Sequence, residues 1–230
     1  APTRGGSYES RPKSWETDFL KIEFLTCNFN PQKVRRAEII RSAKAKAYPS
    51  KLKSPDDLAA ARIVNMYTKP YPCFYGELNK QLRENSLSTT FREYSVLLNE
   101  AIDMLSRKLN GGIFRPNTYR AVYRGTGRCD EITKKGRTIL KAFTSTSVDP
   151  KVPFGSFSCS IFIYFKNVKG LDVSKLSDIP GEKEVLLKSN YPIDVTEFIT
   201  DKNEIAKQIR KISKKIDPKD VNLFVKAKSV

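Results

Sequence analysis

The chain has 230 residues, of which 39% are hydrophobic, and 42 lysines and arginines against 25 acids give it a formal charge of +17. That length and apolar share suffice for a substantial core, and no Pro/Gly/Ser-rich linker divides it, so a single domain over 1–230 is expected. The charge favours acidic partners such as nucleic acid, an anionic membrane or an acidic protein face. No apolar run approaches the ~20 residues needed to span a bilayer, and no signal-peptide core stands at the start, so Ala1 is read as following a removed signal in a secreted protein. No histidine is present, and Cys27, Cys73, Cys129 and Cys159 lack the close spacing of a zinc site, so no metal is expected. An even cysteine count suits two disulfides, with Cys129–Cys159 preferred because it would tie the loop after Arg124 to a core strand. The other reading is buried free thiols, since Cys159 shares an alternation face with Ile161, Ile163 and Phe165.

In chain order, Ala1 to Lys13 is polar and reads as loosely held. From Trp15 to about Asn110 the apolar positions recur three and four apart, as in Phe19-Leu20-Ile22 and Val96-Leu97-Ile102-Leu105, which predicts a helical lobe over about 14–112. Ser54-Pro55-Asp56-Asp57 ahead of Leu58-Ala59-Ala60-Ala61 reads as an N-cap, a first-turn proline and acids at the positive helix end. Gly111-Gly112 reads as the stop of the last helix of this half.

Beyond Gly112 the pattern shortens to strand-like runs bounded by turn residues: Tyr119–Tyr123, Thr138–Phe143, Phe157–Phe165, Val185–Leu187, Ile193–Phe198 and Val221–Val225. Ile205, Ile209, Ile212 and Ile216 form an apolar stripe on one basic helix near 202–216, whose lysines read as a solvated face. The expected fold class is α+β, with an N-terminal helical lobe packed on a mixed or antiparallel two-sheet β core over about 113–230.

Three segments of the second half each end an apolar run with a polar group: Val122-Tyr123-Arg124-Gly125, Phe143-Thr144-Ser145-Thr146-Ser147 and Glu182-Lys183-Glu184-Val185. In order and spacing they resemble the mono-ADP-ribosyltransferases of the arginine-serine-glutamate class, which includes animal ecto-enzymes and bacterial toxins of the C3 and binary-toxin types. Tyr67-Thr68 followed by Asn79-Lys80-Gln81-Leu82-Arg83 is similar to the helical nucleotide-binding region of that family, so the likeness spans residues 55 to 200. The resemblance implies NAD as substrate, bound in a cleft between the helical lobe and the β core, with no metal.

The chemistry accounts for the residue types. Breaking the bond between nicotinamide and ribose builds positive charge on the sugar, so a fixed carboxylate there stabilises the transition state more than the ground state. By the resemblance Glu184 is that carboxylate and Ser145 holds it. Arg124 offers a guanidinium fork for the pyrophosphate, Gly125 a close backbone approach to nicotinamide, and Asn79 and Arg83, one helical turn apart, further phosphate or ribose contacts. If the segment is extended, Glu182 points the same way as Glu184 and serves the incoming nucleophile. Glutamate at that earlier position goes with arginine modification in the family, where a carboxylate must orient a cationic guanidinium and accept its proton.

The loop Leu171–Gly181 is expected to touch the protein substrate through Leu176, Asp178 and Ile179, and Phe154 in the loop Val148–Phe157 to stack on nicotinamide. The reading is a secreted toxin or effector acting on a protein that presents arginine on an acidic surface. Two alternatives stay open at this point: an NAD glycohydrolase, in which water replaces the acceptor, and a basic nucleic-acid-binding or -modifying module. Against the latter, no nucleic-acid motif is present and aromatics do not interleave with a basic strand face.

Overall fold

The computed structural model describes residues 41–69, 74–109, 117–126, 131–155 and 160–230. The chain falls into two compact units, one made of Ala1–Pro116 with Leu171–Pro180 and the other of Asn117–Gly170 with Gly181–Val230. All four cysteines, the paired glycines at 111 and 112, the helical periodicity before residue 41 and Phe157 lie outside the described residues.

In the first unit, helix α1 spans Pro55–Thr68, α2 Phe74–Glu84 and α3 Thr89–Leu109. The start of α1 is fixed locally, as its sequence requires. Ser54 Oγ accepts from Asp57 N at 3.0 Å while the Asp57 carboxylate accepts from Ser54 N at 3.4 Å, a reciprocal capping box with Pro55 at the first helical position. Ala59, Ala60, Ile63 and Val64 are fully buried, as are Phe91, Tyr94, Leu98, Ile102 and Leu105 of α3. Their three- and four-residue spacing gives each helix one core face. The Tyr94 hydroxyl donates to the Ile63 carbonyl at 2.6 Å and ties α3 to α1. Beyond α2, Asn85 takes φ 53° and the Ser86 amide returns to the Gln81 carbonyl at 3.0 Å, a left-handed helix stop that asparagine tolerates.

Residues 171–180 belong to this unit although they follow a strand of the other. Asn65 Nδ2 donates to the Leu176 carbonyl at 2.7 Å and to Asp178 Oδ1 at 3.1 Å, Lys69 Nζ pairs with Asp178 Oδ2, and Lys46 Nζ lies 3.6 Å from Asp178 Oδ1. Burial opposes the charge on Asp178, but the hydrogen bonds from Lys69 and Asn65 and the charges of Lys69 and Lys46 prevail and hold its carboxyl below the usual range.

The second unit contains seven strands: β1 Asn117–Thr126, β2 Gly136–Leu140, β3 Thr144–Ser147, β4 Ile161–Asp172, β5 Glu184–Leu187, β6 Tyr191–Ile199 and β7 Leu223–Ser229. A short helix α4, Val152–Gly155, follows β3, and helix α5, Lys202–Ile212, joins β6 to β7. The strand order is β1-β3-β5-β4-β7-β6-β2, and β1 also pairs with β4, so β1, β3, β5 and β4 close a circuit. The β4–β7 pair is parallel; β1–β3, β1–β4, β2–β6, β3–β5 and β6–β7 are antiparallel. The α+β class and the mixed β core thus hold.

Alternation along β4 and β7 serves two apolar layers. Ile163, Phe165, Val225 and Ala227 pack with Val185, Leu187, Ile193 and Val195, while Phe162 and Phe224 meet Ile205 and Ile209 of α5. The isoleucine stripe is therefore a core face. Ile216 joins that cluster from beyond the helix end.

Several strand boundaries differ from the sequence pattern, three of them for reasons that lie in the pairing. The run Thr138–Phe143 ends early, at Leu140, where the β2–β6 ladder stops, and the next strand, β3, begins only at Thr144 with its pairing to β5. β4 runs seven residues past the expected end at Phe165, through Asn167 at φ 55° and the polar-looking Lys169-Gly170, because β1 pairs along it from Thr126↔Ile161 to Asn117↔Gly170. Strand pairing here outweighs local propensity. The last strand is displaced likewise, from Val221–Val225 to Leu223–Ser229, by its ladders with β4 and β6. At Gly170 a Cβ would stand 2.7 Å from Val185 Cγ1 and 3.0 Å from the Leu186 carbonyl, so only glycine lets β5 lie this close to β4.

Candidate active site

Arg124, Ser145 and Glu184 reach one hydrogen-bonded chain through three strands. Arg124 Nη1 donates to the Ser145 carbonyl at 2.8 Å, which spans from β1 to β3. The Ser145 hydroxyl in turn hydrogen-bonds the Glu184 carboxylate. Register explains the geometry: Ser147 lies opposite Glu184 and Ser145 opposite Leu186, so Ser145 and Glu184 are diagonal neighbours on one face of the β3–β5 ladder.

Glu184 opens β5 and is only 8% exposed. Burial, supplemented by the charge of nearby Glu182 and opposed by the Ser145 hydrogen bond and the Arg124 charge, pushes its pKa up to about 7. Glu182 is half-buried, and burial raises its pKa as well. The extended segment proposed for this pair is not what forms. Glu182 ends a 3-10 turn, Pro180–Glu182, and Lys183 adopts φ 45°, a left-handed conformation uncommon for lysine. The two carboxylates still sense one another, so a tight turn rather than strand alternation brings them together.

The residues leaving β3 hold this turn. Thr146 Oγ1 donates to the Val185 carbonyl at 2.7 Å, Ser147 Oγ to the Glu182 carbonyl at 2.7 Å, and the Val148 amide to the Lys183 carbonyl at 3.2 Å. Ser147 Oγ also accepts from the Asp149 amide at 3.1 Å, and Lys183 Nζ lies 3.4 Å from Asp149 Oδ2. The Ser-Thr-Ser pattern pointed to the strand end but not to these partners. No local signal marks a lysine for φ > 0.

The remaining site residues fall as follows. Gly125 is on β1 opposite Phe162, next to Arg124. Phe154, on α4, is half-buried and stacks on Phe162 with centroids 5.3 Å apart, so one of its faces is occupied by the core of its own unit. Asn79 and Arg83 are on α2 of the helical unit, where Asn79 Nδ2 donates to the Tyr67 hydroxyl at 2.9 Å. Leu176 is fully buried, which removes it as a contact for a protein substrate, and Asp178 is engaged by Asn65 and two lysines.

The sequence matches the family model for NAD:arginine ADP-ribosyltransferases over residues 8–217. The chain belongs to that family. As an ADP-ribosyltransferase it takes NAD as its substrate, the donor of ADP-ribose. No curated protein matches it by sequence. Solved structures share the ADP-ribosyltransferase fold at low identity. Exoenzyme S from Pseudomonas aeruginosa, solved with human 14-3-3 protein beta and carba-NAD, is 15% identical with a TM-score of 0.58 over 94% of this chain and 87% of its own. The eukaryotic mono-ADP-ribosyltransferase ART2.2, solved in complex with NADH, is 19% identical with a TM-score of 0.56 over 94% and 85%. HopU1 of Pseudomonas syringae is 16% identical with a TM-score of 0.57 over 94% and 97%.

For an ADP-ribosyltransferase the arrangement is chemically apt. A carboxylate taken out of water interacts more strongly with a developing sugar cation than a solvated one would. A hydroxyl bond from Ser145 fixes its direction. The Arg124 guanidinium, bound through Nη1 to a backbone carbonyl, is thereby oriented beside it.

Proposed function

We propose that the chain transfers ADP-ribose from NAD to arginine side chains of a target protein, as a secreted toxin or effector formed by one catalytic domain over 1–230. The observation that carries this reading is the buried, Ser145-bonded Glu184 with a second carboxylate, Glu182, beside it on a held turn. In this reading Glu184 stabilises the ribosyl cation as the bond from the sugar to nicotinamide breaks and its electron pair leaves with nicotinamide. Arg124 meets the pyrophosphate, and Gly125 and Phe154 the nicotinamide end. An arginine nitrogen then attacks the same sugar carbon and its proton passes to Glu182. The family match, with glutamate at 182, supports arginine as acceptor. The likeness in fold to Plx2a, an ADP-ribosyltransferase toxin from Paenibacillus larvae (16% identical, TM-score 0.51, 84% of this chain and 92% of that one), supports a toxin or effector role. A charge of +17 suits a target with an acidic surface.

Incubation of cell lysate with the protein and NAD, followed by mass spectrometry, tests the reading. Arginine adducts are expected, lost in Glu184→Gln together with nicotinamide release, whereas Glu182→Gln loses the adducts and keeps release. Adducts confined to other residue types, or adducts that persist in Glu184→Gln, would refute it. Nicotinamide release without any adduct would instead establish an NAD glycohydrolase.

A further inference from the structure

We propose that the segment leaving β3, Ser147 to Asp149, is a clamp on the Glu182–Lys183 turn, with Ser147 as its positioning residue, and that it sets how ADP-ribose partitions between arginine and water. The inference rests on the reading of Glu182 as the acceptor-side carboxylate.

The clamp is built from successive bonds in register with the turn. Ser147 Oγ grips the carbonyl of Glu182 itself, the Val148 amide grips the carbonyl of Lys183, and the Asp149 carboxylate faces the Lys183 ammonium. Ser147 is buried, and its hydroxyl is fixed from the other side by the Asp149 amide, so it has one orientation. What it holds is a backbone that does not hold itself: a lysine at φ 45° sits in a sparsely populated region that persists only where surrounding bonds over-determine it. Glu184, by contrast, lies within the β3–β5 ladder and has its own bond from Ser145. Loosening the clamp therefore displaces Glu182 and spares Glu184.

The chemical consequence is selective. Both reactions break the bond between ribose and nicotinamide, and both need Glu184. Attack by arginine additionally needs a carboxylate placed to take the guanidinium proton; attack by water releases its proton to solvent.

The test compares arginine transfer with nicotinamide release in the full chain carrying Ser147→Ala, Ser147→Thr and the surface change Asp149→Ala. Loss of one positioning hydrogen bond predicts that Ser147→Ala lowers transfer about ten-fold, with release on the alkaline side of its acidic limb, and the KM for NAD, unchanged. Ser147→Thr, which keeps the hydroxyl, restores transfer. Asp149→Ala, which removes the outer contact to Lys183 together with the bond its carboxylate accepts from the Lys151 amide, gives a smaller loss in the same direction. A parallel fall in both reactions, or no fall in transfer, overturns the clamp.

A second readout does not depend on the acceptor. Among the described residues Glu182 and Arg124 are the charged groups that act on Glu184, so release of Glu182 in Ser147→Ala moves the acidic limb of nicotinamide release to lower pH. An unmoved limb overturns the clamp even if the acceptor is not arginine. A wild-type protein that releases nicotinamide but modifies no arginine overturns the acceptor assignment alone.

Discussion

Replacing Glu184 by glutamine is expected to make the protein more stable as it makes it inactive, and the gain should depend on pH in a calculable way. A carboxyl whose pKa rises from 4.5 unfolded to about 7 folded binds its proton more tightly in the folded state. Its contribution is therefore neutral below pH 4.5 and turns unfavourable as pH climbs toward and past 7. At 1.36 kcal/mol per unit, ionisation of Glu184 costs the fold about 3 kcal/mol at pH 8 and about 1 kcal/mol at pH 5. Glutamine is neutral throughout and can still accept the Ser145 hydroxyl bond, so Glu184→Gln should unfold later than wild type by about those amounts. For a chain of this size that is a rise in Tm of roughly 6 to 12 °C at pH 8, shrinking toward zero near pH 4. Denaturant melts of the two proteins at pH 4.5, 6 and 8 measure it. Equal stability at pH 8, or an advantage that grows as pH falls, would refute the picture of Glu184 as a carboxylate held charged against its surroundings. The same raised pKa predicts that wild-type nicotinamide release falls as pH drops below about 7.

Three further outcomes follow from single contacts. Arg124→Lys keeps the charge but loses the planar fork and the geometry of the bond to the Ser145 carbonyl, so the KM for NAD should rise about ten-fold or more in steady-state release assays. Gly170→Ala forces a methyl against Val185 and the Leu186 carbonyl, and should destabilise by about 1 to 3 kcal/mol in denaturant melts while also lowering release, since Glu184 opens the strand that must shift. Ser54→Ala breaks the α1 capping box and should cost about 1 kcal/mol of stability with no change in kcat, as measured by thermal unfolding alongside turnover.

What could be read from the sequence was what depends on near neighbours. The start of α1 was legible because its capping box involves only Ser54 to Asp57, and the α5 stripe because four isoleucines repeat at helical spacing. Arg124, Ser145 and Glu184 were legible as a motif, each at one or the other end of an apolar run. The extension of β4 and the break between β2 and β3 were not, since both are decided by partner strands far away in the chain. Likewise the turn at Glu182 depends on Lys183 taking a conformation that its own side chain disfavours, and on bonds from Ser147 and Val148, more than thirty residues earlier in the chain. Asp178 shows the same limit: nothing local in its sequence marks Asn65 and Lys69 as its partners.

The helical unit borrows ten residues, Leu171–Pro180, from the end of β4 and the segment that follows it. The two units are consequently interleaved along the polypeptide, and cutting it once between Pro116 and Asn117 leaves the first fragment short of ten residues of its own unit, while the second carries its unit whole with those ten residues inserted in it. The first piece would lack the Leu176 carbonyl and the Asp178 carboxylate that accept from Asn65 and Lys69, leaving a buried lysine without its anion. Folding of the first half by itself is disfavoured for that reason, and a circular permutant opened at this point would be the better way to ask whether the order of synthesis matters.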